Sequence, residues 1–325
     1  MKRRTKLLLT FSAVIGLFAF FRVVPAVKAV LNAARCPVAN RIIYTSRREY
    51  VPPFSFEQAE AICSDGSGAV AQRLPSQLAE ASSLVVSPDG SRVAFASDGG
   101  IHIMPIEGSS PILVADGLDV AWSPDGNKLA FSKVMSVSQT TDFIFGIFVT
   151  NASCTDAPGG CIPIANFLGQ GRYPNWSPDG RQIAFSADDG NIYLMNADGS
   201  GRTRLTDVDR RQQAYEPVWS PDEQAIAFSL FIDACPCPRP IQIYLADAGT
   251  GVPTYLTDGT HPVWSTDGRS IAFISDRDGH GKIISLFDTV FPVSSLYLIT
   301  RDGKNITRLT EGNNDSIYAF SWMAQ

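Results

Sequence analysis

One four-residue corner recurs along this chain and constrains its fold more than any other feature. Ser87-Pro88-Asp89-Gly90 precedes "SRVAFAS", and Ser123-Pro124-Asp125-Gly126 precedes "NKLAFSK". Ser177-Pro178-Asp179-Gly180 precedes "RQIAFSA", Ser220-Pro221-Asp222-Glu223 precedes "QAIAFSL", and Ser265-Thr266-Asp267-Gly268 precedes "RSIAFIS". The spacings of 36, 54, 43 and 45 residues describe one unit repeated with insertions. Proline at the second turn position presets φ, aspartate tolerates the third, and glycine gives freedom at the fourth. The flanking residues are apolar or aromatic (Trp122, Trp176, Trp219, Trp264) and the following triplets are rich in strand formers. The corner therefore reads as a strand–turn–strand element. Nothing is spaced to act as a general base on these serines, and identical chemistry in five units would suit a single active site poorly.

A second corner follows in several units: "NADGSGRTRLT" at 196–206, "ADAGTGVPTYLT" at 246–257 and "TRDGKNITRLT" at 300–310. It joins a third strand to a fourth. Asp276-Arg277-Asp278-Gly279 has an Asp-x-Asp spacing but lacks the longer ligand ladder and distal glutamate of a calcium loop, so it reads as a turn. Four strands per unit at this period predict an all-β chain folded as a β-propeller. Complete units span 83–117, 118–169, 171–207, 214–259 and 261–312. "RIIYTS" (41–46) looks like a second strand and 59–74 like a third and fourth, while "SIYAFSW" (316–322) looks like a first strand. Together they predict a sixth blade, so that pairing of N- and C-terminal strands closes the ring and removes a sheet edge.

Composition bounds the rest. The chain has 325 residues, 45% hydrophobic and 18% charged, which suits a globular domain with a large core. Met1–Lys6 is basic, Leu7–Phe21 is an uncharged apolar run, and small residues follow. Residues 1–29 thus have the layout of a signal peptide or signal anchor, with 30–40 a linker and 41–325 the propeller. The expected location is exported, periplasmic or extracellular, with membrane attachment only through residues 7–21 if they are retained. The segment 1–29 holds six basic residues and no acidic ones, so its loss takes the net charge from −5 to −11. An acidic body argues against nucleic acid as a partner.

Six cysteines in an exported chain favour disulfides. Cys154 and Cys161 flank a turn-rich loop and are expected to pair, and Cys36 and Cys63 can tie the N-terminal segment to the first blade. The state of Cys235 and Cys237 stays open, because they pair only in a strained small ring. A metal reading of their Cys-x-Cys lacks soft ligands, since the histidines are only His102, His261 and His280. No metal and no cofactor is expected.

The run of Pro174, Trp176 to Gly180, Ile183 to Ser186, Ile192 to Gly201 and Arg204 to Thr206 resembles the WD-like repeats of the TolB propeller family. The resemblance covers about 41–322. It implies a six-bladed propeller of four-stranded blades and is weak on function, since members include the periplasmic TolB of the Tol–Pal system, propeller caps of prolyl-type peptidases and many other exported proteins. Two departures from those patterns stand out. TolB carries an α/β domain between signal and propeller, where only about ten residues stand here, and no Gly-x-Ser-x-Gly elbow occurs.

In a propeller, the connections into each first strand and those from second to third strand share a face. The second-to-third connections are long at 47–58, 133–141, 231–240 and 276–295. The starts of the first strands place Asp119, Arg172, Tyr173, Tyr215, Glu216, His261 and Tyr318 around the central funnel on that face. Mixed aromatic and charged residues at a concave mouth suit capture of a ligand or peptide. The apolar insert 281–295 either marks a partner site or packs on a neighbouring blade. The expected function is a non-catalytic, monomeric binding module of the cell envelope that docks a protein or peptide. The alternative is a hydrolase or lyase acting on a saccharide or other small substrate in the funnel.

Overall fold

The computed structural model describes residues 41–49, 55–65, 69–70, 76–78, 81–137, 143–152, 165–233, 241–278, 282–284, 290–292, 294–310 and 315–323. The expected signal, the linker, Cys36, Cys154, Cys161, Cys235 and Cys237 lie outside them. Six four-stranded antiparallel sheets form the blades of a propeller. Blade 1 has the order Asp315–Trp322, Arg41–Glu49, Ser55–Cys63, Ala69–Val70. Blades 2 to 6 begin with the inner strands Ser83–Val86, Leu118–Trp122, Arg172–Trp176, Gln212–Trp219 and Thr260–Trp264, and each runs outward in chain order. The ring closes as expected, with Tyr44 opposite Phe320 and Ile42 opposite Trp322. A small hairpin of Lys282–Ile284 and Val290–Pro292 stands beside blade 6.

The core lies between blades. Ile42, Tyr44 and Trp322 of blade 1 pack with Ala272, Ile274 and Leu296 of blade 6, while Ile43, Ala61 and Cys63 pack with Val93, Phe95 and Met104 of blade 2. Against its expected pairing with Cys36, which lies outside the described residues, Cys63 is buried with a free thiol. The phenylalanines of the repeated triplets (Phe95, Phe131, Phe185, Phe228, Phe273) are all buried. A Cβ on Gly171 would come within 2.5 Å of Phe185, which explains a glycine there. Three of the five tryptophans that end inner strands tie blade to blade by hydrogen bonds, while the indole N–H groups of Trp176 and Trp219 have no partner among the described residues. The indole N–H of Trp122 donates to the Val85 carbonyl at 3.1 Å, Trp264 to Val218 at 3.2 Å and Trp322 to Val263 at 3.3 Å.

Two of the expected long connections are shorter than their spacing suggests. Arg47–Glu49 pairs with Ser55–Glu57, and Lys133–Val137 with Phe143–Gly146, so these segments continue the blades as strands. Extension satisfies backbone groups that a loop would leave to water.

The repeated corner is a hydrogen-bonded unit, as its composition predicts. Each serine hydroxyl donates to the aspartate two residues on, at 2.6–2.7 Å, in all five copies. The same hydroxyl accepts the backbone N–H five residues on, from Arg92, Lys128, Gln182, Ala225 or Ser270. These bonds hold the carboxyls well below the usual range, Asp89 and Asp222 to about 2. Such a carboxylate is a permanent acceptor and a poor proton shuttle. The fourth position takes φ near +70° in Gly90, Gly126, Gly180 and Gly268, and Glu223 is forced to +60° in the same place. A left-handed conformation costs a non-glycine residue about 1–2 kcal/mol, against about 0.4–1 kcal/mol that glycine loses through the freer unfolded chain. Glu223→Gly should therefore stabilise the protein by roughly 0.5 kcal/mol. Chemical denaturation checks this: a raised midpoint at unchanged slope is expected, and a lowered midpoint contradicts it.

Candidate functional site

Four inner strands break register at the same place. The pairing with the second strand skips between Leu118 and Ala121, Arg172 and Asn175, Tyr215 and Val218, and Thr260 and Val263. In each break one non-glycine residue adopts left-handed backbone: Asp119 (φ 52°), Tyr173 (55°), Glu216 (55°) and His261 (54°). Three of them precede a proline, a position that ordinarily keeps to extended backbone. Strain of this kind persists only where the surroundings enforce it, and it concentrates at functional sites. The four side chains line one cavity of about 180 Å³ at the axis of the ring, together with Ser83 of blade 2 and Ala319 of blade 1. Below them the wall is apolar: Leu84, Val120, Pro174, Pro217, Pro262 and Phe320.

The structure brings four of the seven sequence-predicted residues to one cavity and leaves Arg172, Tyr215 and Tyr318 outside its lining. Asp119, Tyr173, Glu216 and His261 line the cavity. Arg172 binds Asp119 through Nε at 2.9 Å, and the Tyr215 ring lies 6.1 Å from that of Tyr173. Tyr318 lies on the inner strand of blade 1.

Two acid–base pairs organise the mouth. In the first, the Asp119 carboxylate accepts from Arg172, whose guanidinium lies over Phe145 at 4.3 Å and Tyr173 at 4.5 Å. In the second, the His261 Nε2 meets a Glu216 oxygen at 3.0 Å. The other Glu216 oxygen accepts from Ser229 Oγ at 3.0 Å, the His261 backbone N–H at 3.1 Å and Thr260 Oγ1 at 3.3 Å. Glu216 thus accepts from four donors, three on one oxygen and His261 on the other.

The charges respond accordingly. Burial alone would raise the Glu216 carboxyl, but His261 and these hydrogen bonds outweigh it and hold the pKa low. Burial would lower the His261 pKa, but the Glu216 carboxylate outweighs it and raises it. Burial raises the Asp119 pKa despite Arg172, and Glu216 adds to the rise. Burial likewise raises both tyrosines. Among the described residues no group of three or more His, Cys, Asp or Glu converges to hold a metal ion, and no helix is long and apolar enough to cross a membrane.

Sequence reasoning missed two serines. Ser132 and Ser229 follow the phenylalanine of the second strand. Ser229 donates to Glu216 in its own blade and accepts the His261 N–H of the next at 3.2 Å. Ser132 does the same between Asp119 and the Tyr173 N–H at 3.0 Å. Each strap fixes two left-handed residues at once. The signal was the serine after "AF" in "LAFSK" and "IAFSL", which had been read only as strand.

No family model matches the chain. Over 94 residues, 28% of this chain and 14% of the relative, it is 29% identical to the uncharacterised peptidase YuxL of Bacillus subtilis. Over 215 residues, 58% of this chain and 68% of the relative, it is 28% identical to an uncharacterised protein of Agrobacterium fabrum. The match thus spans about a seventh of the length of the peptidase. Among solved structures, TolB of Acinetobacter baumannii superposes with a TM-score of 0.66 at 18% identity, covering 89% of this chain and 67% of that one. A protein described as TolB from Agrobacterium tumefaciens gives 0.55 at 19%, covering 86% and 97%. An oligogalacturonate lyase in complex with manganese gives 0.51 at 14%, covering 85% and 76%. The fold is the TolB-like β-propeller.

The pairing of Glu216 with His261 fixes the pH dependence of stability. A lowered Glu216 pKa gives stability that is present above its unfolded value near 4.5 and lost as pH falls through the folded pKa. A raised His261 pKa gives stability that is present below 6.5 and lost as pH rises through the folded pKa. Glu216→Gln should cost about 2 kcal/mol, because a buried acceptor of four donors is replaced by an amide. The cost should peak between about pH 4.5 and 6.5 and shrink on both sides. Thermal unfolding of the two proteins across pH tests this; a cost that does not vary with pH contradicts it.

Proposed function

We propose that the chain is a non-catalytic binding module of the cell envelope that docks a protein or peptide segment at the channel mouth. The observation that carries this is the preformed rim. Strained backbone in four successive blades presents Asp119, Tyr173, Glu216 and His261 around one small cavity before any ligand arrives. Preorganised polar groups over an apolar floor suit a side chain that is half apolar and half polar. Tyr173 and Tyr215 add rigid amphipathic surface, the residue type that anchors peptide interfaces. The TolB-like fold agrees with a binding role, and the layout of residues 1–29 supports a role outside the cytoplasm.

A second reading, a hydrolase or lyase on a saccharide, draws on one observation. Two carboxyls with opposite pKa displacements, Asp119 raised and Glu216 lowered, share the cavity, the kind of divergence that separates acid from base roles. The hydrogen bonding of Glu216 speaks against it. Three donors crowd one of its oxygens and His261 Nε2 holds the other, so little of its basicity is left for a substrate.

Selection of displayed random peptides on the immobilised protein tests the proposal. Wild type should enrich a shared sequence pattern, and Tyr215→Ala, with unfolding temperature retained, should bind the selected peptides about tenfold or more weakly. Selected peptides that bind the variant equally, or no enrichment beside turnover of an acidic oligosaccharide, would overturn it.

A further inference from the structure

The two carboxylates of the axial cavity are unequally supplied with donors. Asp119 and Glu216 line the same space, with side chains only 14% and 12% exposed. Glu216 accepts from four donors and is tied to His261 at 3.0 Å, so its charge is answered at that contact. Asp119 has two donors, Arg172 Nε at 2.9 Å and Ser132. An ionised carboxylate offers about four acceptor sites, so about half of that capacity is unspent. The positive charge that answers Asp119 is drawn outward, because the Arg172 guanidinium lies over Phe145 at 4.3 Å and outside the cavity lining. Burial therefore outweighs Arg172 and raises the Asp119 pKa, whereas the donors of Glu216 outweigh burial and lower its pKa. Asp119 is a buried anion short of donors in a cavity that it lines. Tyr173 lines the same space, and its hydroxyl has no hydrogen-bond partner among the described residues.

We propose that the axial cavity receives an ammonium group of the docked peptide, from a lysine side chain or the chain's N-terminus, paired with the Asp119 carboxylate. The inference rests on the reading of this mouth as a peptide-docking site. A cation that carries N–H donors supplies Asp119 with both charge and hydrogen bonds. A compact ammonium suits it better than a guanidinium, because Arg172 already holds Oδ2 and fork pairing needs both oxygens. The cavity of about 180 Å³ admits one side chain or one chain end, and Leu84, Val120, Pro174, Pro217 and Phe320 cover its apolar part. The charged and titratable groups that face Asp119 are Arg172 and Tyr173 of blade 4, Glu216 of blade 5 and His261 of blade 6. Blades 1 and 2 present Ala319, Phe320, Ser82 and Ser83 there. Affinity for the ammonium should therefore rise with pH, first as Asp119 ionises and then as His261 loses its proton and bares the Glu216 charge.

The test uses the full chain and four alanine-based tetrapeptides, read by NMR titration of the His261 ring. The first carries one lysine between blocked ends, the second norleucine in its place, the third norleucine with a free N-terminal amine, and the fourth glutamate between blocked ends. One or both amine peptides should bind about tenfold more tightly than the blocked norleucine peptide, and which one does tells side chain from chain end. Asp119→Asn keeps the side chain's shape and a residue type that tolerates left-handed backbone. It should remove the preference while thermal unfolding shows it folded; Asp302→Asn, on the corner face, should leave the preference intact. In the wild type, where folding of a variant is not at issue, the preference for the amine should grow severalfold between about pH 4 and 7, a range in which both kinds of amine keep their charge. Equal binding of amine and norleucine peptides, a preference that ignores pH or survives in folded Asp119→Asn, or tighter binding of the glutamate peptide would overturn the ammonium site and leave peptide docking standing. No binding by any of the four would overturn both.

Discussion

A one-residue break in four inner strands is the constraint on which the site depends. Without it, Asp119, Tyr173, Glu216 and His261 would sit in regular strands, where alternation turns successive side chains to opposite faces. Left-handed backbone turns these four toward the axis instead. Each such residue costs on the order of 1–3 kcal/mol. The blades offset this with specific bonds, above all the Ser132 and Ser229 straps, which join a carboxylate in one blade to a backbone N–H in the next. Closure of the ring by Asp315–Trp322 against Arg41–Glu49 makes those bonds persistent, because no blade can shift without disturbing its neighbours.

The two faces of the propeller use their acidic residues differently. On the corner face, Asp89, Asp125, Asp179, Asp222 and Asp267 are locked by serine hydroxyls and backbone N–H groups with lowered pKa, so they shape turns. At the channel mouth, Asp119 and Glu216 are buried behind cations. The acid residues there line the cavity while fixing the charge and orientation of Arg172 and His261.

The fold was legible because its signals are local and repeated. Ser-Pro-Asp-Gly needs only its own residues to turn, and "IAF" needs only strand propensity, so five copies predicted five blades. The sixth followed from incomplete strands at 41–46 and 316–322, whose pairing the register bears out. The site was legible only as a neighbourhood. Residues at the inner strand starts do meet, but the direction of each side chain depends on the register break, which the prolines after Tyr173, Glu216 and His261 disguise. The straps through Ser132 and Ser229 join residues up to 41 positions apart, and no local pattern encodes that distance. The strand extensions at 47–49 and 133–137 are not legible in the sequence, because spacing alone does not distinguish a long hairpin from a long connection.

The central claim is that a buried glutamate holds a protonated imidazole at the mouth of the channel. The chain has only three histidines, so the ring signals of a histidine-labelled sample can be assigned by substitution. Titration of His261 by nitrogen NMR in the wild type and in Glu216→Gln tests the claim directly. The account predicts a wild-type midpoint above the ordinary value of 6.5 that drops in the variant. A midpoint at or below 6.5 in both proteins would show that Glu216 does not hold the charge, and the account of the mouth would fail with it.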